Sequence, residues 1–177
     1  QSQTILTSTA MKKRVNEFYK INTLLEGSGI VLNLDHAIPM TLIDSIQGAG
    51  PLKGNFQPIT QALNMGLKNK VDIAYANAYK TDNKKVMRAI EKVADEIGLP
   101  MGKVTDKFWD LGKNPFLSGD IKQSIYNNLV AQNQMLEKSQ KLDSKLLKKA
   151  GLDKLNFDVG KVDTKLLSKI FSKGDAN

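Results

Sequence analysis

The chain holds a single histidine, and an aspartate stands directly before it in Leu34-Asp35-His36-Ala37-Ile38-Pro39. A neutral imidazole has an ordinary pKa near ~6.5, so it can accept a proton from water at physiological pH. The neighbouring carboxylate is a hard oxygen donor of the kind that divalent cations prefer. Nineteen residues after His36 comes Asn55-Phe56-Gln57-Pro58-Ile59-Thr60, followed by Asn64 and Lys68-Asn69-Lys70. Taken alone, an Asp-His pair reads first as a buried, hydrogen-bonded histidine beside a loop carboxylate. With no cysteine, thiol catalysis, disulfide scaffolds and Cys-ligated zinc are excluded. A lone histidine excludes a His-rich metal cluster.

The elements that must position these residues follow from periodicity. Residues 10–26 predict a helix with Val15, Phe18, Leu24 and Leu25 on one face, stopped by Gly27-Ser28-Gly29. The run IVLNLDHAIP predicts a strand ending near Pro39. Residues 40–54 read as a long loop punctuated by Gly48, Gly50, Pro51 and Gly54, and residues 55–58 as a second short strand. A helical pattern runs from Ile59 towards Tyr79 with a break near Gly66, and Tyr75 and Tyr79 read as packing residues. Beyond it the chain reads as helical. Asp82 caps a helix carrying Val86, Ile90, Val93 and Ile97, which Gly98 and Pro100 end. Residues 101–111 predict a short helix holding Phe108 and Trp109, read as packing rather than base stacking. Ser118 caps a long helix to about Leu142 with Ile121, Ile125, Leu129 and Leu136 inward. The fold class is α+β, mostly α, with a small two-stranded element embedded among helices and a basic helical C-terminal tail.

Residues 30–70 resemble the HNH, or ββα-metal, endonuclease family. In that family a strand ends in Asp-His, a hydrophobic residue and Pro. A loop and an Asn-apolar-Gln-Pro-like second strand follow, and then a helix with Asn or His and a basic residue. The resemblance implies that Asp35 and Asn64 ligate one divalent cation, Mg²⁺ with Mn²⁺ as substitute. It implies His36 as general base, with Asn55 orienting its ring. Lys68 would contact phosphate, with Lys70 and Lys53 beside it. The implied activity is hydrolysis of phosphodiesters in DNA, leaving 5′-phosphate and 3′-hydroxyl ends.

The departures from the family are specific. The zinc ribbon of many members is absent, the Asn64-to-Lys68 gap is one residue longer than the commonest spacing, and Gly48-Ala49-Gly50 replaces a Gly-Gly pair. Alternation along a strand also places His36 with Ile30, Leu32 and Leu34, towards a core, and Asp35 away from it. Both serve one site only if the strand ends or bulges there.

The chain has 177 residues, room for one ordinary domain, and its formal net charge is +8. Residues 138–177 carry ten lysines against five acids, and the whole chain holds only two arginines, Arg14 and Arg88. Lysine gives diffuse charge suited to backbone phosphates rather than to base reading. The composition divides the chain into residues 1–137 and the basic tail 138–177, and the resemblance implies that the first is an HNH-like domain with its ββα element at about 29–80. Within the tail Lys141-Leu-Asp-Ser-Lys-Leu-Leu-Lys-Lys149 echoes as Lys161-Val-Asp-Thr-Lys-Leu-Leu-Ser-Lys169. Each copy predicts an Asp-capped helix, either packed on the body or serving as a docking arm for a partner. No signal pattern and no membrane-spanning run are seen. The setting expected is cytoplasmic or phage-encoded, or the toxic end of a secreted polypeptide with a cognate inhibitor. The alternatives are a non-catalytic nucleic-acid-binding or virion structural protein, and a helical interaction module working through its tail.

Overall fold

The computed structural model describes residues 8–36, 56–99, 119–154 and 161–175. Helix α1 (Ser8–Asn22) runs into a 3-10 turn (Thr23–Leu25). Gly27 and Gly29 then take positive φ, a backbone region where a Cβ is disfavoured, and so turn the chain into β1 (Leu32–His36). Strand β2 (Phe56–Thr60) pairs antiparallel with β1, and the order is that of a hairpin joined by a long connection. The predicted strand end near Pro39, the loop 40–54, Asn55, the helix 101–111 with Phe108 and Trp109, and Ser118 lie outside the described residues.

Helix α2 spans 61–80 and starts directly from β2, with Thr60 Oγ1 accepting the Leu63 amide at 3.1 Å as its cap. It is not uniform. An α turn (Gln61–Leu63) leads into a π segment (Asn64–Lys68), where the Asn69 amide reaches back to the Asn64 carbonyl, and α geometry resumes over Asn69–Lys80. A π turn holds one extra residue relative to an α-helix. The helix is therefore loosened around Gly66 but not broken there.

Helix α3 (Lys84–Ile97) is capped by Asn83, whose Oδ1 accepts the Val86 amide at 3.2 Å. Asp82, the expected cap, instead takes a positive φ of 52° in the turn before it. Gly98 closes α3 in the left-handed region, as its position predicts. Helix α4 (Ile121–Ser139) is capped by Asp120, two residues later than the Ser118 expected. The two echo segments form α5 (Ser144–Ala150) and α6 (Thr164–Asp175). Asp143 Oδ1 accepts the Lys145 amide, and Asp163 Oδ1 accepts the amides of Lys165 and Leu166.

The sheet separates two hydrophobic cores. The register pairs Asn33 with Ile59 and Asp35 with Gln57 on one face, and Leu32 with Thr60 and Leu34 with Pro58 on the other. Ile59 belongs to a core built from α2, α3 and α5, including Leu63, Leu67, Val71, Tyr75 and Ile90. Leu32 and Leu34 belong to a second core with Phe18, Leu25, Leu167 and Phe171. Helix α4 bridges the two, giving Ile121, Ile125 and Leu129 to the second and Met135 and Leu136 to the first. Of the face expected on α1, Phe18 and Leu25 are buried, whereas Leu24 is exposed because the 3-10 turn rotates it outward.

The tail is part of this architecture. Ala150 and Leu152 complete the first core, and Val162, Leu167 and Phe171 the second. Asn133 on α4 anchors the approach to α6 twice, donating to the Val162 carbonyl at 2.8 Å and accepting its amide at 2.9 Å. The two echo helices therefore pack on the body rather than project as an arm. Among the described residues no helix is long and apolar enough to cross a membrane.

Candidate functional site

Asp35 is the fourth residue of β1, on the sheet face that α2 covers. Strand alternation alone turns it away from the core. The presence of a helical layer on each side of the sheet corrects that, since neither face is left to solvent. The ladder is regular from Leu32 to His36 against Phe56 to Thr60, with no bulge among these pairs. His36 stands at the next register position, opposite Phe56, and its side chain lies outside the described residues.

What meets Asp35 is Lys68. Its ammonium lies 3.2 Å from Asp35 Oδ2 and 2.7 Å from Asp72 Oδ2, and the Lys68 side chain is only 1% exposed. The two carboxylates retain 18% and 15% exposure. Gln57, paired with Asp35 across the sheet, extends its Nε2 to the same Oδ2 at a long 3.5 Å. The cluster is thus one cation between two carboxylates, one from the strand and one from the helix. A charge removed from water requires such pairing, because its desolvation otherwise outweighs its packing.

Lys68, which the resemblance has contacting phosphate, is buried. Its charge is spent within the protein, on Asp35 and Asp72. Lys70, two residues on, is exposed at the surface of α2. Lys53 and Asn55 lie outside the described residues. Asn64 opens the π segment with its side chain half-buried. The π segment adds one residue to the turn between Asn64 and Lys68.

Asp72 escaped the sequence reading. The signal was available, because Lys68 and Asp72 are four apart on a helical pattern and such pairs face one another. Among the described residues its Oδ1 is buried without a hydrogen-bond partner. Burial raises the Asp72 carboxyl from 3.8 to about 6, with the Lys68 charge and hydrogen bond opposing and the Asp35 carboxylate adding to the rise.

Whether a divalent ion suits this place is a question of donors and charge. Asp35 and Asn64 offer hard oxygens of the right kind. The face already accommodates positive charge against Asp35 and Asp72, and Asp72 keeps a buried oxygen to spare. The cation that these carboxylate oxygens hold in the structure is the Lys68 ammonium. Among the described residues no group of three or more His, Asp or Glu side chains gathers to hold a metal. The protein ligands would accordingly be few, and Lys68 already sits at the carboxylate concerned.

The C-terminal part of the chain presents a basic surface. All ten lysines of residues 138–177 are exposed, from Lys138 in the last turn of α4 through α5, α6 and their connections. One of them, Lys161, pairs with Glu137 at 3.2 Å. Exposed pairs of this kind contribute ~0–1 kcal/mol and leave the surface potential positive. No family model matches the chain, and neither a curated protein nor a solved structure matches it.

Proposed function

We propose that the chain is a metal-dependent HNH-type endonuclease that hydrolyses phosphodiester bonds in DNA. The observation that supports this reading is the strand–strand–helix order. Antiparallel β1 and β2 feed directly into α2, and Asp35 on β1 meets the segment of α2 that carries Asn64 and Lys68. The residue types recur in the order the family resemblance requires.

In this reading Asp35 and Asn64 hold one Mg²⁺ or Mn²⁺, which when bound supplies charge neutralisation to the phosphate and the leaving 3′-oxygen. His36 accepts the proton of the attacking water. Asn55, which immediately precedes the register partner of His36, steadies the imidazole. Lys53 and exposed Lys70 contact the flanking phosphates, and the lysines of α5 and α6 hold the DNA backbone with little base discrimination.

A second reading has its own supporting observation. With Lys68 seated on Asp35, that carboxylate has a cationic partner without a metal, as suits a non-catalytic nucleic-acid-binding protein. Supercoiled-plasmid relaxation at low salt separates the two. The nuclease nicks with Mg²⁺ or Mn²⁺, not with EDTA, and loses nicking in His36→Ala and Asp35→Ala. Retained DNA binding without nicking under any metal selects the second reading.

A further inference from the structure

We propose that the two echo segments are equivalent footholds for one partner, the phosphate backbone of duplex DNA, which the chain grips at two separate places rather than at one patch. The inference rests on the DNA-binding half of the reading above and not on hydrolysis. What carries it is that the echo in sequence is also an echo in structure. Asp143 and Asp163 each open their helix by accepting an amide two residues on, that of Lys145 at 3.0 Å and that of Lys165 at 3.1 Å. Each also accepts, at its backbone carbonyl, the amide of the second leucine of its pair, Leu147 or Leu167, at 3.1 Å. Leu147 then packs against the first core and Leu167 lies within the second. The same seating leaves Lys145 and Lys149 exposed on α5, and Lys165 and Lys169 exposed on α6.

Folding accounts for the aspartate cap and the leucine pair, but not for the lysines. Residues four apart on a helix stand about 6 Å apart along its axis and share a face. Like charges so placed repel one another and weaken the helix. A polyanion laid along them removes the repulsion and releases its own counterions. Among the described residues none of the four lysines pairs with a carboxylate, so their ammonium groups stand open to such a partner. The helices close different cores, on the two faces of the sheet, which makes the footholds separate.

The test is fluorescence anisotropy of a labelled synthetic duplex with full-length protein in EDTA, where no metal-dependent cleavage proceeds. Lys145→Glu/Lys149→Glu and Lys165→Glu/Lys169→Glu are each expected to raise Kd at least about ten-fold at low salt. Each should also lower the log–log salt slope by about 1.8, for two phosphates at about 0.9 apiece. Lys84→Glu/Lys85→Glu, an equal change of charge at exposed positions of α3, is expected to leave Kd within about three-fold of wild type. Should a reversal variant not fold, the pair Lys145→Gln/Lys149→Gln or Lys165→Gln/Lys169→Gln takes its place, with the same loss of slope expected. A loss confined to one copy, or a control variant that loses as much as the echo variants, overturns the proposal. So does a wild type that binds phosphatidylserine vesicles but not the duplex. Equal losses from the two copies in a protein that leaves plasmid supercoiled with Mg²⁺ remove the nuclease and leave the footholds standing.

Discussion

Replacing Lys68 by Met tests the cluster at its centre. Methionine matches the volume and keeps the hydrophobic packing, so the change removes mainly charge. In the wild type one ammonium, 1% exposed, faces two carboxylates at 3.2 and 2.7 Å. Without it, Asp35 and Asp72 confront each other half-desolvated with no counter-charge. Removing one partner of a buried ion pair costs about 3–5 kcal/mol, and the residual exposure of both carboxylates favours the lower end. In a chain of this length that is a fall of roughly 6–20 °C in melting temperature. Urea unfolding at pH 7, with Cm read at constant m, measures it. The loss should shrink as pH falls below about 6, where the Asp72 carboxyl is protonated and no longer needs the cation. Asp35→Asn/Lys68→Met/Asp72→Asn, which removes all three charges together, should recover most of it. A Lys68→Met variant within about 0.5 kcal/mol of wild type at pH 7 refutes the argument, because no buried cation between carboxylates could be deleted at that cost.

Three further outcomes are expected. The Asp72 carboxyl titrates near 6 in the fold against 3.8 ordinarily, so between these values the folded state binds more protons than the unfolded. Its contribution to stability therefore falls as pH rises from about 4 to about 6, by on the order of 3 kcal/mol, and Asp72→Asn should flatten this limb in unfolding measured across that range. Leu167→Ala, at a fully buried position of the second core, should cost about 2–5 kcal/mol in urea unfolding, whereas a loosely attached tail would register almost nothing. Lys165→Glu/Lys169→Glu/Lys173→Glu on the exposed side of α6 should weaken DNA binding and lower the salt dependence, by about 0.9 in log–log slope for each phosphate no longer neutralised.

Much of the frame was legible because it rests on local signals. The strand around Leu32 and Leu34, the spacing of Ile90, Val93 and Ile97, and the Ile121–Leu136 face all follow from period, and those residues are buried or half-buried. Helix starts were harder. Asp82, Asn83, Ser118 and Asp120 all offer capping oxygens, and which one caps depends on the turn that delivers it. The polar residues buried along α4 were not legible as core. Ser124, Asn128 and Ser139 satisfy themselves on their own helix's carbonyls, and Gln132 on the Pro58 carbonyl of β2.

At the site, the sequence singled out Asp35 and Lys68 but not their pairing or the burial of Lys68. A lysine is read as exposed unless two carboxylates bury it, and one of those, Asp35, comes from a strand more than thirty residues away. Face assignment failed for a related reason. Alternation in β1 separates Asp35 from Leu34, but it does not say that a second helical core lies on the other side.

The central claim is hydrolysis of DNA at the Asp35–His36 element, and the nick itself tests it most directly. Supercoiled plasmid is incubated with wild type, Asp35→Ala or His36→Ala in Mg²⁺, quenched with EDTA, and the nicked product offered to DNA ligase. The account predicts metal-dependent nicks from wild type alone, resealed by ligase because they carry 5′-phosphate and 3′-hydroxyl ends. Folded wild type that binds the plasmid without nicking it, or His36→Ala that nicks at the wild-type rate, contradicts the account.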